Sequence, residues 1–423
     1  MLTVRKNLGS PVLAIDDADM YGAELASIIR EITTYDTHPL LILGIRSGKI
    51  ERALNPSVLR GVEVSEHVMP PLEDSDIDRL IGILDRENRL GILRGKSLAE
   101  QRQLFRDQAG RHLLVAMIQA TSGRRFEEKA VEELLELDDN SAAIYAFIAV
   151  ASALRFSLTR DEVLIASGDQ SNKTLNILDQ LLRRHIIVAT DNGDLHARHR
   201  VIAEILLKEL QLRRDLSRVL SGLILVAATK AAPGQSRSSR PWRMLKLFIN
   251  HEFLIRTIGL EAARNIYGEY EQLLTWDYHY WLQRGSLEVE FGDLSLAENF
   301  LNQAKSLASE DSLVDNEIAY LLFKKALANP AGVDAKRNVN EATAILEELI
   351  HKRGHIDSYP FHVLASQGLA WSRRTIRNRQ EKEKYLRYLL THTENGLKKH
   401  PRNDDLVTMH HDLKTELLGL AVK

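Results

Sequence analysis

The 423-residue chain contains no cysteine. Disulfides, thiolate metal sites and a cysteine nucleophile are therefore excluded, and the composition fits a reducing cytoplasm. Proline is scarce, at 10 residues, and aromatic residues make up only 6%. Few helix breakers, with apolar residues recurring at helical spacing, predict a mainly α protein. No stretch approaches 18 consecutive apolar residues, so no transmembrane helix and no membrane partner are expected. The start, MLTVRKNLGS, lacks the apolar core of a signal peptide. Net charge is only −2, so no global basic field recruits nucleic acid. Also missing are a Ser-His-Asp arrangement, the carboxylate pair of a glycosidase and a dinucleotide-type glycine pattern. No G-x-x-x-x-G-K-[ST] precedes Asp16. GIRSGK (Gly44–Lys49) is one residue short of it, has no Ser or Thr after Lys49 and follows the wrong strand.

What is present begins with two short apolar runs. Val12–Ile15 reads as a strand that delivers Asp16 and Asp17; Leu40–Ile45 reads as a second strand that ends in Arg46. A helix, Ala23–Thr33, lies between them, and Val62–Val64 is a candidate third strand. Two parallel strands with polar groups at their carboxyl ends are the geometry of a nucleotide site. The plainer readings are a solvated turn for Asp16, Asp17 and Asp19, a helix cap for Asp19, and a surface arginine for Arg46. Residues 1–68 thus read as part of an α/β core, closed off by Pro70-Pro71.

Residues 69–137 read as helical. Ile77, Leu80, Ile81 and Leu84 share one helix face, Ser97 with Glu100 fits a capping box, and Ala109–Thr121 carries its own apolar stripe. Over 138–212 three helices (Ala142–Leu154, one after Thr159, and Ser171–Arg184) precede two short strands around Asp191-Asn192-Gly193-Asp194. Asn-Gly between such strands signals a hairpin, and three helices plus a hairpin make a winged helix. Residues 213–275 read as a helical linker or degenerate repeats, with 231–241 (AAPGQSRSSRP) as a mobile loop. From 276 to 423 the chain repeats: Trp281, Gly285, Gly292, Ala297 and Ala304 match the tetratricopeptide (TPR) pattern. Two weaker helix pairs follow. Trp276, Tyr278, Tyr280, Trp281 and Trp371 read as packing residues of these repeats.

In this order the segments resemble the STAND class of AAA-related NTPases, signal-transduction ATPases that include bacterial antiviral sensors. PVLAIDDAD looks like their Walker B strand, LLILGIR like the strand carrying the sensor-1 arginine, residues 70–123 like the helical lid, and LHARHRVIAE like the winged-helix segment that presents a histidine to phosphates. The resemblance implies a partial α/β P-loop NTPase core without its Walker A part, a helical lid, a winged helix and a C-terminal TPR-like α-solenoid. It implies ATP or ADP with Mg2+ as cofactors, conditional on a phosphate loop supplied from outside the chain. Asp16 would hold magnesium, Asp17 would orient the attacking water, Arg46 would sense the γ-phosphate, and His199 would contact the β-phosphate. Gly110-Arg111-His112 stands where many members carry a proline, a departure at the adenine contact.

The function this implies is a nucleotide-dependent signalling switch and sensor in anti-phage defence. The repeats would bind a protein trigger, and the NTPase core would control homo-oligomerisation. ATP hydrolysis is expected only with the missing loop present. The alternatives are a STAND-type transcription regulator and a nucleotide-independent TPR scaffold. For His199 the plainer reading is a surface-facing basic turn, and for Arg373–Lys384 a solvated segment between helices.

Overall fold

The computed structural model describes residues 12–15, 18, 21–33, 40–45, 54, 59, 62–67, 72–87, 90, 93–108, 126–169, 171–190, 192–213 and 215–422. Helices dominate, and the chain divides into two compact units, Met1–Lys129 and Ala130–Lys423.

In the first unit, β1 (Val12–Ile15) and β2 (Leu40–Leu43) pair in parallel, Val12 opposite Leu40 and Ile15 opposite Leu43. Helix α1 (Gly22–Thr33) connects them. Side chains alternate across a strand, so Ile15, Leu41 and Leu43 turn toward Leu25 and Ile29 of α1. Val12, Leu40 and Ile42 lie on the opposite face and are more than half exposed. Val62–Val64 forms no strand; Val62 packs instead against the cluster beneath the sheet. Helix α2 (Asp74–Arg86) buries Ile77, Ile81 and Leu84. Ser97 and Glu100 exchange both bonds of a capping box at α3 (Leu98–Gln103), which runs into a π-helical turn, Leu104–Gln108. Bidentate pairs from Arg102 to Asp78 and from Arg106 to Asp74 bind α3 and this turn to α2. The helix expected at Ala109–Thr121 lies outside the described residues.

Helix α4 (Phe126–Leu135) leads into the second unit. There α5 (Asp139–Ala153), α6 (Arg160–Ser167) and α7 (Asn172–Arg183) precede the antiparallel pair β3 (Ile187–Ala189) and β4 (Leu195–Ala197). Each helix start is locally encoded: Asp138 and Ser171 cap by side chain, and Thr159 with Glu162 forms a capping box. Gly193 takes φ +84 in the turn between the strands, a backbone region open to glycine at little steric cost. Leu158 adds an antiparallel bridge on the other edge of β4 by exchanging both backbone bonds with Leu195. Three helices and this wing form a winged helix.

Helix α8 (Arg200–Arg213) packs on α5, and α9 (Leu216–Lys230) packs on both α5 and α6. At Gly222 a Cβ would lie 2.5 Å from the Ala166 carbonyl oxygen and 2.6 Å from the Phe147 ring, so glycine is required for the close approach. The segment expected to be mobile ends at Ser239 and is pinned. The Arg237 guanidinium lies 4.1 Å from the Trp242 ring centroid and 4.3 Å from that of Tyr278.

Then follow α10 (Arg240–Phe248), α11 (His251–Ile258), α12 (Leu260–Leu274), α13 (Tyr278–Phe291), α14 (Leu294–Leu307), α15 (Ser312–Ala328), α16 (Ala335–Arg353), α17 (Tyr359–Thr375), α18 (Arg379–Lys399) and α19 (Asp404–Val422). α13 pairs with α14, α15 with α16, and α17 with α18, while α11, α13, α15 and α17 pack side by side in series. The result is a helical solenoid. A Cβ at Gly285 would meet the Leu301 side chain at 2.6 Å, and one at Gly368 would meet Leu389 at 2.7 Å. The same small-residue crossing therefore recurs in the first and third pairs. Tyr280 and Trp281 are buried in packing, and Trp371 is partly buried against the cluster built by the later repeats.

Candidate functional site

The residues assigned from sequence to a nucleotide site fall in two places. Asp16, Asp17 and Arg46 lie outside the described residues, as do Asp19 and Gly110-Arg111-His112. Their strands are described. The carboxyl ends of β1 and β2 lie side by side, tied by the Gly44 amide donating to the Ile15 carbonyl and the Ala18 amide donating to the Gly44 carbonyl, both at 2.8 Å. His199 is exposed, between β4 and the first turn of α8. Its neighbours are engaged: Arg198 donates to Glu133 at 2.6 Å, and Arg200 pairs with Glu204 at 3.3 Å. His196 Nδ1 lies 2.9 Å from the Ala197 carbonyl. The basic character of HARHR is largely neutralised within its own unit, leaving the His199 ring facing solvent.

A second constellation is built by the solenoid. α15 begins one 34-residue period after α13, and Tyr278 at the start of α13 donates to Asp311, the cap of α15, at 2.7 Å. The two helices therefore run in the same direction. Along α13, His279, Gln283, Ser286 and Glu290 recur at spacings of four, three and four, which places them on one stripe. His251, the first residue of α11, meets this stripe. Its Nδ1 and its backbone amide both donate to Gln283 Oε1, at 2.8 and 3.0 Å. Its Nε2 points to Glu290 Oε1 at 4.0 Å. From α15, Glu317 comes to the same place and is only 8% exposed.

The electrostatics follow from burial. Burial pushes the Glu317 carboxyl up to about 7, partly offset by His251 and the Ser286 hydroxyl. Burial depresses the His251 ring, but the Glu290 carboxylate and Gln283 more than offset it and hold its pKa above the ordinary value. The phenols of Tyr320 and Tyr359 are raised by burial and then by the Glu290 and Glu317 charges. These groups make a semi-enclosed acidic patch suited to a cation. Nearby, burial drives the His279 ring down to about 3, and its Nε2 has no hydrogen-bond partner; neither amide atom of the buried Asn316 has one either.

None of these residues stood out from sequence. The readable signal was the polar stripe at 279, 283, 286 and 290, but a lone His and scattered Glu residues carry no spacing motif.

No protein-family profile and no curated protein matches the chain. Among solved structures, it is similar to the crystal structure of a signal transduction ATPase with numerous domains (STAND) bearing a tetratricopeptide repeat sensor, from Pyrococcus horikoshii. The identity is 14% and the TM-score 0.30, with 99% of this chain and 63% of that one covered. The chain thus spans less than two thirds of that protein. A score of this size does not establish a shared fold.

Proposed function

We propose that the chain is the switch-and-sensor portion of a nucleotide-dependent signalling protein, in which the solenoid binds a trigger and the α/β segment responds. The observation that carries the reading is the position of α9 in the second unit. On one side α9 closes onto the winged helix at Gly222 against Phe147 and Ala166. On the other, the Tyr270 hydroxyl of α12 donates to the Ser221 carbonyl at 2.9 Å, and its oxygen lies 2.6 Å from the Ser221 hydroxyl. Arg240, the first residue of α10, adds a bidentate clamp on Glu162 of α6, at 2.6 and 2.8 Å. The winged helix and the start of the solenoid are thereby one packed body, so a ligand on the repeats can shift the position of the wing. A ligand moves such an equilibrium only through unequal affinity for the two states.

In the first unit, the exposed apolar face of β1–β2 supports membership of a larger α/β core, because parallel strands are normally covered on both faces. In this reading Asp16 holds magnesium, Asp17 orients water, and Arg46 senses the γ-phosphate of ATP. His199, exposed beside α8, contacts a β-phosphate. Oligomerisation on activation and a role in anti-phage defence belong to the same proposal.

The test is signalling by the complete protein, together with binding of a fluorescent ATP analogue. Asp17→Ala and Arg46→Ala are each expected to abolish signalling. Normal signalling by both variants would sink the reading.

A further inference from the structure

The His251 ring and the Glu290 carboxylate face each other across 4.0 Å. This is too long for a hydrogen bond, which closes at about 2.7–3.2 Å. Two bonds of about 2.0–2.2 Å to one tetrahedral ion would set these atoms about 3.4 Å apart, so the pair closes by roughly half an ångström when an ion binds. The tautomer is already set: Gln283 Oε1 accepts from Nδ1 and from the His251 backbone amide, so the Nε2 lone pair of the neutral ring is directed at the gap. A carbonyl oxygen fixing the far nitrogen of a ligating imidazole is the usual second layer of a metal site. Glu252 brings a carboxylate oxygen to the same point, and the three ligand atoms lie within 4.8 Å of one another. Glu317 approaches from α15, more than nine-tenths buried, with the Ser286 hydroxyl as a hydrogen-bond donor. Beside it, Asn316 is 1% exposed with both amide atoms unpartnered, so this inner turn retains unmet hydrogen-bonding capacity.

We propose that His251, Glu252 and Glu290 form a site for one divalent transition-metal ion, Zn2+ or Mn2+. One imidazole with two carboxylates and no thiolate is a donor set suited to these ions. The ion ties α11 to α13. It therefore links successive helices on the inner row of the solenoid and limits their relative movement. The site stands independently of any nucleotide chemistry in the first unit.

The experiment is equilibrium dialysis of the whole 423-residue chain against ZnCl2 or MnCl2, with metal analysis and a parallel thermal-shift measurement. One ion per chain is expected, with Tm raised by several degrees at saturation. His251→Gln and Glu290→Gln should each raise Kd tenfold or more. Glu252→Gln, an exposed change that does not threaten folding, should raise it about threefold or more and carries the test should the buried His251→Gln variant misfold. His410→Gln, which removes a surface His–Glu pair at 3.5 Å with no third ligand among the described residues, should leave Kd unchanged. Absence of a stoichiometric ion, or unchanged affinity in both Glu290→Gln and Glu252→Gln, overturns the proposal.

Discussion

The pairs β1–β2 and β3–β4 each hold two short strands, yet they meet water in different ways. The antiparallel wing is finished within its own unit: Leu195 and Ala197 are 1% and 2% exposed, and Leu158 bridges the other edge of β4 from a distant segment. The parallel pair packs one face on α1 and leaves Val12, Leu40 and Ile42 at 60%, 61% and 52% exposure on the other. Isolated two-stranded sheets are marginal, and the wing escapes this by sharing the core of three helices. The difference teaches that the second unit is a self-sufficient body, whereas the apolar face of β1–β2 has the character of an interior surface.

Five measurements would break or sharpen that comparison. Gly222→Leu should have the largest effect, because the added carbon meets a backbone oxygen that cannot move aside. A loss of about 3 kcal/mol or more is expected, read as a drop in the midpoint of chemical unfolding with loss of the single transition shared by wing and repeats. Leu195→Ala removes the centre of the wing and should cost about 3 kcal/mol by the same assay. Arg240→Met leaves the buried Glu162 carboxylate without its bidentate partner, and about 2–3 kcal/mol should be lost. A value near zero would show that the capping box at Thr159 suffices to hold that charge.

The fourth measurement concerns pH. Burial pushes Asp277 up to about 6 from 3.8, and burial pushes His279 down to about 3 from 6.5. Between pH 3.8 and 6 the folded chain holds a proton on Asp277 that the unfolded chain releases, so this contribution falls as pH rises. Below pH 6.5 the unfolded chain protonates His279 while the folded chain does not, so that contribution falls as pH drops. Asp277→Asn keeps the acceptor oxygen that caps the His279 amide. It should gain stability on the order of 1–2 kcal/mol at pH 8, whereas His279→Gln should flatten the loss between pH 6.5 and 4. Thermal melts at pH 4, 6 and 8 separate the two. The smallest effect is expected from Ile42→Lys, within about 0.5 kcal/mol for this chain alone. The same change should abolish assembly with any segment that covers the sheet face, and unimpaired assembly would remove the argument that the face is an interior one.

The local elements were legible because their determinants lie within a few residues. Ser97 with Glu100, the Thr159 cap and Asn192-Gly193 each specify a turn or a helix start through neighbouring backbone groups. The TPR match at Trp281, Gly285 and Ala297 was readable for a related reason, since a helix crossing repeats the same small and large residues at a fixed period. Within α7, Leu175 and Leu182 are half-buried, while Thr174 and Ile177 are buried. Apolar character alone does not tell which shoulder of a helical stripe meets the core.

The sequence by itself determined the helical content, the hairpin and the capping residues, which depend on contacts between near neighbours in the chain, and the repeat period, which shows as the same residue types recurring at a fixed spacing. Only the tertiary structure decided what α9 joins, which cation clamps Glu162, and where the inner-row acids gather. Arg240 and Glu162 are 78 residues apart, and Gln283 lies 32 beyond His251. No local periodicity encodes such a meeting; it exists because successive repeats stack in register and bring one polar stripe against the next.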